Sequence, residues 1–179
     1  MSSRREAGAL WEGRFAEAGL DSPRLSAQIL LAHALNLPRL EMLLDSRANV
    51  PETALATFEA LARRRLMGEP VAYLVGHKEF YGLDFEVNPN VLIPRPETEL
   101  MLDRLTECVV RDAVLRVLDV GTGSGALGVT CATLYPEAAV VAVDVSPEAL
   151  STARRNARKH GVQERVGFVC GDLRGALLV

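Results

Sequence analysis

The sequence predicts an α/β protein: a small N-terminal helical bundle followed by the first half of a doubly wound parallel sheet. Three observations carry that prediction. Residues 5–66 repeat apolar side chains at helical spacing between prolines at 23, 38 and 51. Residues 114–170 alternate aliphatic strands with capped helices. The first of those strands runs into Gly121-Thr122-Gly123-Ser124-Gly125, the composition of a tight strand-to-helix turn that a ligand can approach closely.

The composition is that of an ordinary folded chain. Of 179 residues, 49% are hydrophobic and 24% charged, which supplies a core and excludes wholesale disorder. The apolar runs, such as Ala138–Val143, fall far short of the roughly 20 residues that span a bilayer. No apolar run follows Arg4-Arg5, so no secretory signal is expected. Residues 1–75 carry nine Arg and nine acids, and residues 76–179 carry eleven bases and fourteen acids. Neither half is basic, so nucleic acid is not an expected direct partner. Cys108, Cys131 and Cys170 are far apart, and His33, His77 and His160 are scattered. That pattern predicts no metal site and no disulfide framework, and points to a reducing, cytoplasmic setting.

The helical region reads in order. Leu10, Trp11 and Phe15 share one side of a first helix. Trp11 is read as core and not as a stacking surface for a ligand. Asp21-Ser22-Pro23 signals a second start, a capping side chain followed by proline. Leu25, Ile29, Ala32 and Leu35 follow as its inward stripe. Pro38 ends that element or opens a short helix through Leu44. Pro51-Glu52-Thr53 opens another, with Leu55, Phe58, Leu61 and Leu66 inward. Arg63-Arg64-Arg65 is expected as a solvated helix end, cations near the negative pole of the dipole.

A connector follows. Glu79-Phe80-Tyr81, Gly82-Leu83 and Asp84–Val87 read as a hairpin around a glycine turn. Leu92-Ile93-Pro94-Arg95-Pro96-Glu97-Thr98-Glu99 is a stiff extended stretch feeding a helix, because a residue before proline is pushed out of the α region. Acids at 97 and 99 suit that helix's positive end. On local chemistry the stretch serves equally as a rigid strap or as a wall of an active site.

The second region begins with a strand at Val114–Val120, the glycine loop and a helix at Ala126–Tyr135. A second strand, Ala138–Val143, ends in Asp144. Ser146-Pro147 starts another helix, Gly161 ends it, and Arg165–Cys170 is a third strand before Gly171-Asp172. Asp144 lies 23 residues past Gly121, where a carboxylate accepts ribose hydroxyls. Two ligands compete for this pattern. Gly123-Ser124-Gly125-Ala126-Leu127-Gly128 matches the dinucleotide fingerprint, but that frame starts two residues late relative to the strand end. The frame Asp119-Val120-Gly121-Thr122-Gly123-Ser124-Gly125 fits better and puts an acid on the strand itself. An acid there suits an ammonium-bearing ligand such as S-adenosylmethionine and suits a pyrophosphate poorly. Asp119 has a plainer alternative, a hydrogen bond to its own loop.

Together, Gly68-Glu69-Pro70, Tyr73-Leu74, Gly76, Glu79-Phe80-Tyr81-Gly82, Leu92–Glu99 and Asp119–Gly125 resemble the family of peptide chain release factor N5-glutamine methyltransferases, the PrmC/HemK family. The glycine loop alone names only a methyltransferase superfamily; the Ile-Pro-Arg-Pro-Glu-Thr-Glu segment joined to the Phe-Tyr-Gly hairpin is much more specific. The resemblance implies a Rossmann-like class I S-adenosylmethionine-dependent methyltransferase domain behind the bundle. It implies methyl transfer to the side-chain amide of the Gln in the Gly-Gly-Gln motif of class-1 release factors. Domains are expected at 1–67 (docking), 68–97 (hairpin and connector) and 98–179 (partial methyltransferase). Carried over residue by residue, Asp119 and Gly121, Thr122, Gly123, Ser124 and Gly125 face the methionine part, Asp144 the ribose, and Asp172 with Leu173 the adenine. Phe80, Leu92, Pro94, Arg95 and Glu97 are candidates on the substrate side. A monomer is expected, with no membrane contact.

One departure is large. The family's catalytic Asn-Pro-Pro-Tyr segment is absent from the 179 residues, so no catalytic residue is assigned. The tail after Asp172 looks cut midway, which suggests a fragment or a truncated product. Alone, such a chain is expected not to catalyse, leaving a binding module. Another methyltransferase, acting on a different protein, nucleic acid or small molecule, is the alternative reading.

Overall fold

The computed structural model describes residues 2–172, and the chain divides into two compact units, residues 1–75 and 76–179. In the first unit, α1 (Arg4–Glu17) opens with a capping box: the Ser3 hydroxyl accepts from the Glu6 amide, and the Glu6 carboxylate accepts from the Ser3 amide. Four further helices follow, α2 (Pro23–Leu35), α3 (Arg39–Leu44), α4 (Glu52–Leu66) and α5 (Val71–Val75). Trp11, Phe15, Leu30, Leu31, Phe58, Leu61 and Leu74 form the core. Trp11 is 2% exposed and meets Phe58 edge to face, so it is a packing residue.

Two helical details differ from expectation. Helix α2 packs against both α1 and α4, so its buried apolar face is Ala27, Leu30, Leu31 and the expected Ala32, with Leu35 partly buried, while Leu25 is exposed. Asp21 does not cap that helix. Its carboxylate accepts from Arg65, which is therefore buried and not part of a solvated run. Ser22, the residue at the cap, sits at φ 46° with no side-chain cap bond.

In the second unit, β1 (His77–Phe80) and β2 (Leu83–Glu86) form an antiparallel hairpin. Both turn residues have positive φ, Tyr81 at 51° and Gly82 at 75°, which is the twist that two-residue hairpins favour. Tyr81 adopts this conformation at a cost, and Glu99 helps hold it by accepting from the Tyr81 amide at 2.9 Å. Helix α6 (Pro96–Cys108) carries Glu99. Then β3 (Arg116–Val120), α7 (Ala126–Leu134), β4 (Ala139–Asp144), α8 (Pro147–Lys159) and β5 (Val166–Cys170) alternate, with strand order β3-β4-β5, all parallel.

The period-two alternation of the strands decides which side is core. Val140, Ala142 and Val166 turn inward with Val129 and Ala132 of α7, Ala157 of α8, Leu102 of α6 and the hairpin's Phe80 and Phe85. Leu118, Val120 and Val141 on the other side are exposed. Strand β3 begins two residues later than expected because Val110–Ala113 closes a turn and leaves Val114 in solvent.

Candidate functional site

Strand β3 must reverse into α7 within five residues, and three glycines make that possible. Gly121, Gly123 and Gly125 have φ of 71°, 56° and 83°, conformations that cost an L-residue about 1–2 kcal/mol. The amides of Gly121 and Thr122 both donate to the Val143 carbonyl, at 2.8 and 3.0 Å, which ties the loop to the end of β4. The glycines then divide by what a Cβ would meet. At Gly121 it would meet nothing within 4 Å, so the backbone there is open to a ligand. At Gly125 it would lie 3.1 Å from the Ala153 Cβ. Gly128, inside α7, would put one 3.0 Å from Asp119 Oδ2 and 3.1 Å from Val140 Cγ1. Gly125 and Gly128 are therefore glycines because α7 lies close against α8 and the sheet.

Asp119 is buried. Its Oδ2 accepts from the Thr122 hydroxyl at 2.6 Å and from the Gly128 amide at 3.0 Å. Asp144, at the carboxyl end of β4, accepts from the Gly123 amide through Oδ2 at 2.9 Å and from the Ser146 amide through Oδ1 at 3.0 Å. A carboxylate has about four acceptor positions, so two remain for a ligand's hydroxyls. The Gly171 amide donates to the Asp144 carbonyl at 3.0 Å, which sets Asp172 beside Asp144. Asp119, Gly121–Gly125, Asp144 and Asp172 thus converge on the carboxyl edge of the sheet, where open α/β sheets bind ligands. Leu173 lies outside the described residues.

The expected substrate-side residues behave differently. Phe80 is 1% exposed and packed edge to face on Phe85, so it has no surface for a substrate and belongs to the core. Pro94 is buried as well. Leu92, Arg95 and Glu97 are exposed; the Arg95 carbonyl accepts from the Thr98 amide, and among the described residues neither the Arg95 nor the Glu97 side chain makes a hydrogen bond or ion pair. Sequence reasoning missed two residues here. Glu99 was expected only as a first-turn acid, yet it anchors the hairpin turn. Asn156 is fully buried and bonds both β2 and the glycine loop. A polar residue on the apolar face of α8 was its available signal.

The local electrostatics follow from this packing. Burial, with the Asp119 charge nearby, pushes the Cys131 thiol up to about 11. The Arg155 guanidinium bonds Glu86 and holds that carboxyl below its ordinary range. Among the described residues no cluster of His, Cys, Asp and Glu is arranged to hold a metal, and no helix is long and apolar enough to cross a membrane.

Comparison with known proteins matches the two regions separately. Residues 6–76 match the PrmC N-terminal domain, and residues 111–177 match a methyltransferase domain. The release factor glutamine methyltransferase of Nitratidesulfovibrio vulgaris is 47% identical over 165 residues, covering 92% of this chain and 56% of that protein. That of Chlorobaculum tepidum is 48% identical over 163 residues, covering 88% and 55%. Among solved structures, an RNA methyltransferase from Salinibacter ruber in complex with S-adenosyl-L-homocysteine aligns with a TM-score of 0.40 and 31% identity, over 47% of this chain and 53% of that one. The chain spans about half the length of the curated relatives it matches. Over that half the chain is similar in sequence to the release factor glutamine methyltransferases, with a match to a PrmC N-terminal domain followed by a match to a methyltransferase domain.

Proposed function

We propose that the protein transfers a methyl group from S-adenosylmethionine to the side-chain amide nitrogen of the Gln in the Gly-Gly-Gln motif of class-1 release factors. The observation that carries the cofactor part is the pairing of Gly121, open to approach, with Asp144, whose two remaining acceptor positions face the same edge. When bound, the cofactor supplies an electrophilic methyl on a sulfonium, which becomes a thioether as the amide nitrogen takes the methyl and loses a proton. This chain's residues hold the cofactor. Gly121 and Gly123 let it reach the backbone, Asp144 accepts the ribose hydroxyls, and Asp119, through Oδ1, draws the ammonium end. Asp172 lies where the adenine is expected.

An amide nitrogen is a poor nucleophile, so the acceleration must come mostly from positioning. The segment that would hold the Gln, Asn-Pro-Pro-Tyr in the family, is not among these residues. The helical unit is proposed to dock the release factor, and the protein to work in the cytoplasm. Purified class-1 release factor and labelled S-adenosylmethionine test the proposal with the full-length protein. Label is expected in the factor and absent when its Gln is replaced. Label that survives that replacement overturns the substrate assignment.

A further inference from the structure

We propose that Asn156 is the positioning residue of the glycine loop, holding the Ser124 carbonyl and the β2 backbone with one amide so that the loop keeps its shape before the ligand arrives. Asn156 lies in α8 and is 0% exposed. Its Oδ1 accepts from the Glu86 amide at 2.7 Å. Its Nδ2 donates to the Glu86 carbonyl at 3.0 Å and to the Ser124 carbonyl at 2.8 Å. Both amide hydrogens are used, and the direction of each bond is fixed because the carbonyls can only accept.

The rest of the buried face of α8 is Ala149, Leu150, Thr152, Ala153 and Ala157, so packing alone does not call for an amide at this position. Ser124 lies between two glycines at positive φ, the softest part of the loop. The loop is held at two successive residues here: Asp144 takes the Gly123 amide, and Asn156 takes the Ser124 carbonyl. Two other ties between α8 and the hairpin, Arg155 to Glu86 and Lys159 to Asp84, are exposed ion pairs of the kind that contribute little, and His160, at the end of the helix, bonds the Asp84 carbonyl and packs on Phe85. Asn156 therefore links the ligand loop to the hairpin, through a buried bond to Ser124 and part-buried bonds to Glu86. A loop already held in shape loses less entropy when its ligand binds. The importance for catalysis rests on the methyltransferase reading, whereas the positioning itself does not.

The test uses the 179-residue chain without cofactor, so its failure and the failure of the methyltransferase reading are separate events. Backbone order parameters from nitrogen-15 relaxation report mobility residue by residue. Rigid backbone gives about 0.85, and flexible backbone falls below about 0.6. In the unaltered protein Gly123, Ser124, Gly125 and Glu86 should be rigid. In Asn156→Ser, which is neutral and too short to reach Ser124, the loop should become flexible at every pH while Val140 and Ala142 stay rigid. In Asn156→Asp a carboxylate oxygen replaces the donor and faces two carbonyls, so the loop should be mobile at pH 8. Burial keeps that carboxyl protonated to a higher pH than usual, so acidification restores a donor and rigidity returns by about pH 5. If the Asp variant does not fold, the Ser variant carries the comparison. A loop that stays rigid in the Ser variant, mobility that rises equally in the sheet, or an Asp variant indifferent to pH overturns the proposal.

Discussion

Replacing Gly125 by alanine should destabilise the second unit more than replacing Gly121, although the two share one loop and a similar positive φ. Gly121 sits at φ 71° and Gly125 at φ 83°, so the backbone cost of an L-residue is similar at both, about 1–2 kcal/mol. Alanine also restricts the unfolded chain equally in both cases, so that contribution cancels. The difference is space. At Gly121 the added methyl meets nothing within 4 Å, whereas at Gly125 it lies 3.1 Å from the Ala153 Cβ and 3.3 Å from both the Ala153 Cα and Val129 Cγ2. The Ala153 Cα is helix backbone and cannot swing aside. Overpacking of this kind costs about 1–3 kcal/mol. Native-state hydrogen exchange at the Val140 amide, which donates to the Arg165 carbonyl within the sheet, reads the stability of this unit directly. Gly125→Ala should exchange roughly 5- to 150-fold faster than Gly121→Ala, the rate equivalent of that packing cost. Adding Ala153→Gly removes the 3.1 Å contact and should recover on the order of 1 kcal/mol in a double-mutant cycle. Equal exchange in the two single variants, or no recovery in the double variant, would refute the packing account of Gly125.

Other outcomes follow from the same geometry. Asp144→Ala in the full-length protein should lower S-adenosylmethionine affinity at least tenfold, on the order of the 1.5–3 kcal/mol of a charged hydrogen bond, as read by calorimetry. Unchanged affinity removes Asp144 from the ribose role. Cys131, its thiol pushed up to about 11 in the core, should resist iodoacetamide at pH 8, while the exposed Cys108 and Cys170 react; peptide mapping reads all three. Glu86 is held below its ordinary range by Arg155, so its contribution is present above the unfolded carboxyl value and fades as pH falls through the folded one. Protection of the hairpin amides should therefore drop below about pH 4, and Glu86→Gln should weaken that acid dependence, Asp84 of the same hairpin, which Lys159 and His77 hold low against its burial, keeping the remainder. In the helical unit, Asp21→Ala should destabilise more than Arg65→Leu, because the first leaves a 7%-exposed guanidinium without its carboxylate and the second removes the buried charge. Trp11 fluorescence in urea follows that unit.

The features legible in the sequence are those that local chemistry decides. The prolines that open α2, α6 and α8, the Ser146 cap and the glycine loop are local statements, and each stands where its residues put it. The aliphatic strands and their order after the loop follow from period and spacing. The misreadings share one physical cause, a partner far away in sequence. The stripe of α2 assumes one neighbour, but with both α1 and α4 packed on it Ala32 stays buried while Ala27, Leu30 and Leu31 take the place of Leu25 and Ile29. Asp21 caps nothing because Arg65, 44 residues later, offers a charged partner.

The candidate site divides along the same line. Gly121, Gly123, Asp119 and Asp144 belong to one strand-loop-helix-strand unit, so spacing alone brings them to one edge. What keeps them there is set by longer-range contacts. Ser124 is fastened by Asn156, 32 residues on, and the same amide reaches back 70 residues to Glu86. In sequence Asn156 stands three residues after Ala153 and seven after Ala149, on the apolar face of α8, so its burial is legible, but nothing local names Glu86 and Ser124 as its partners. The ligand-facing atoms are thus encoded locally, and the rigidity that makes them useful to a ligand is encoded at a distance.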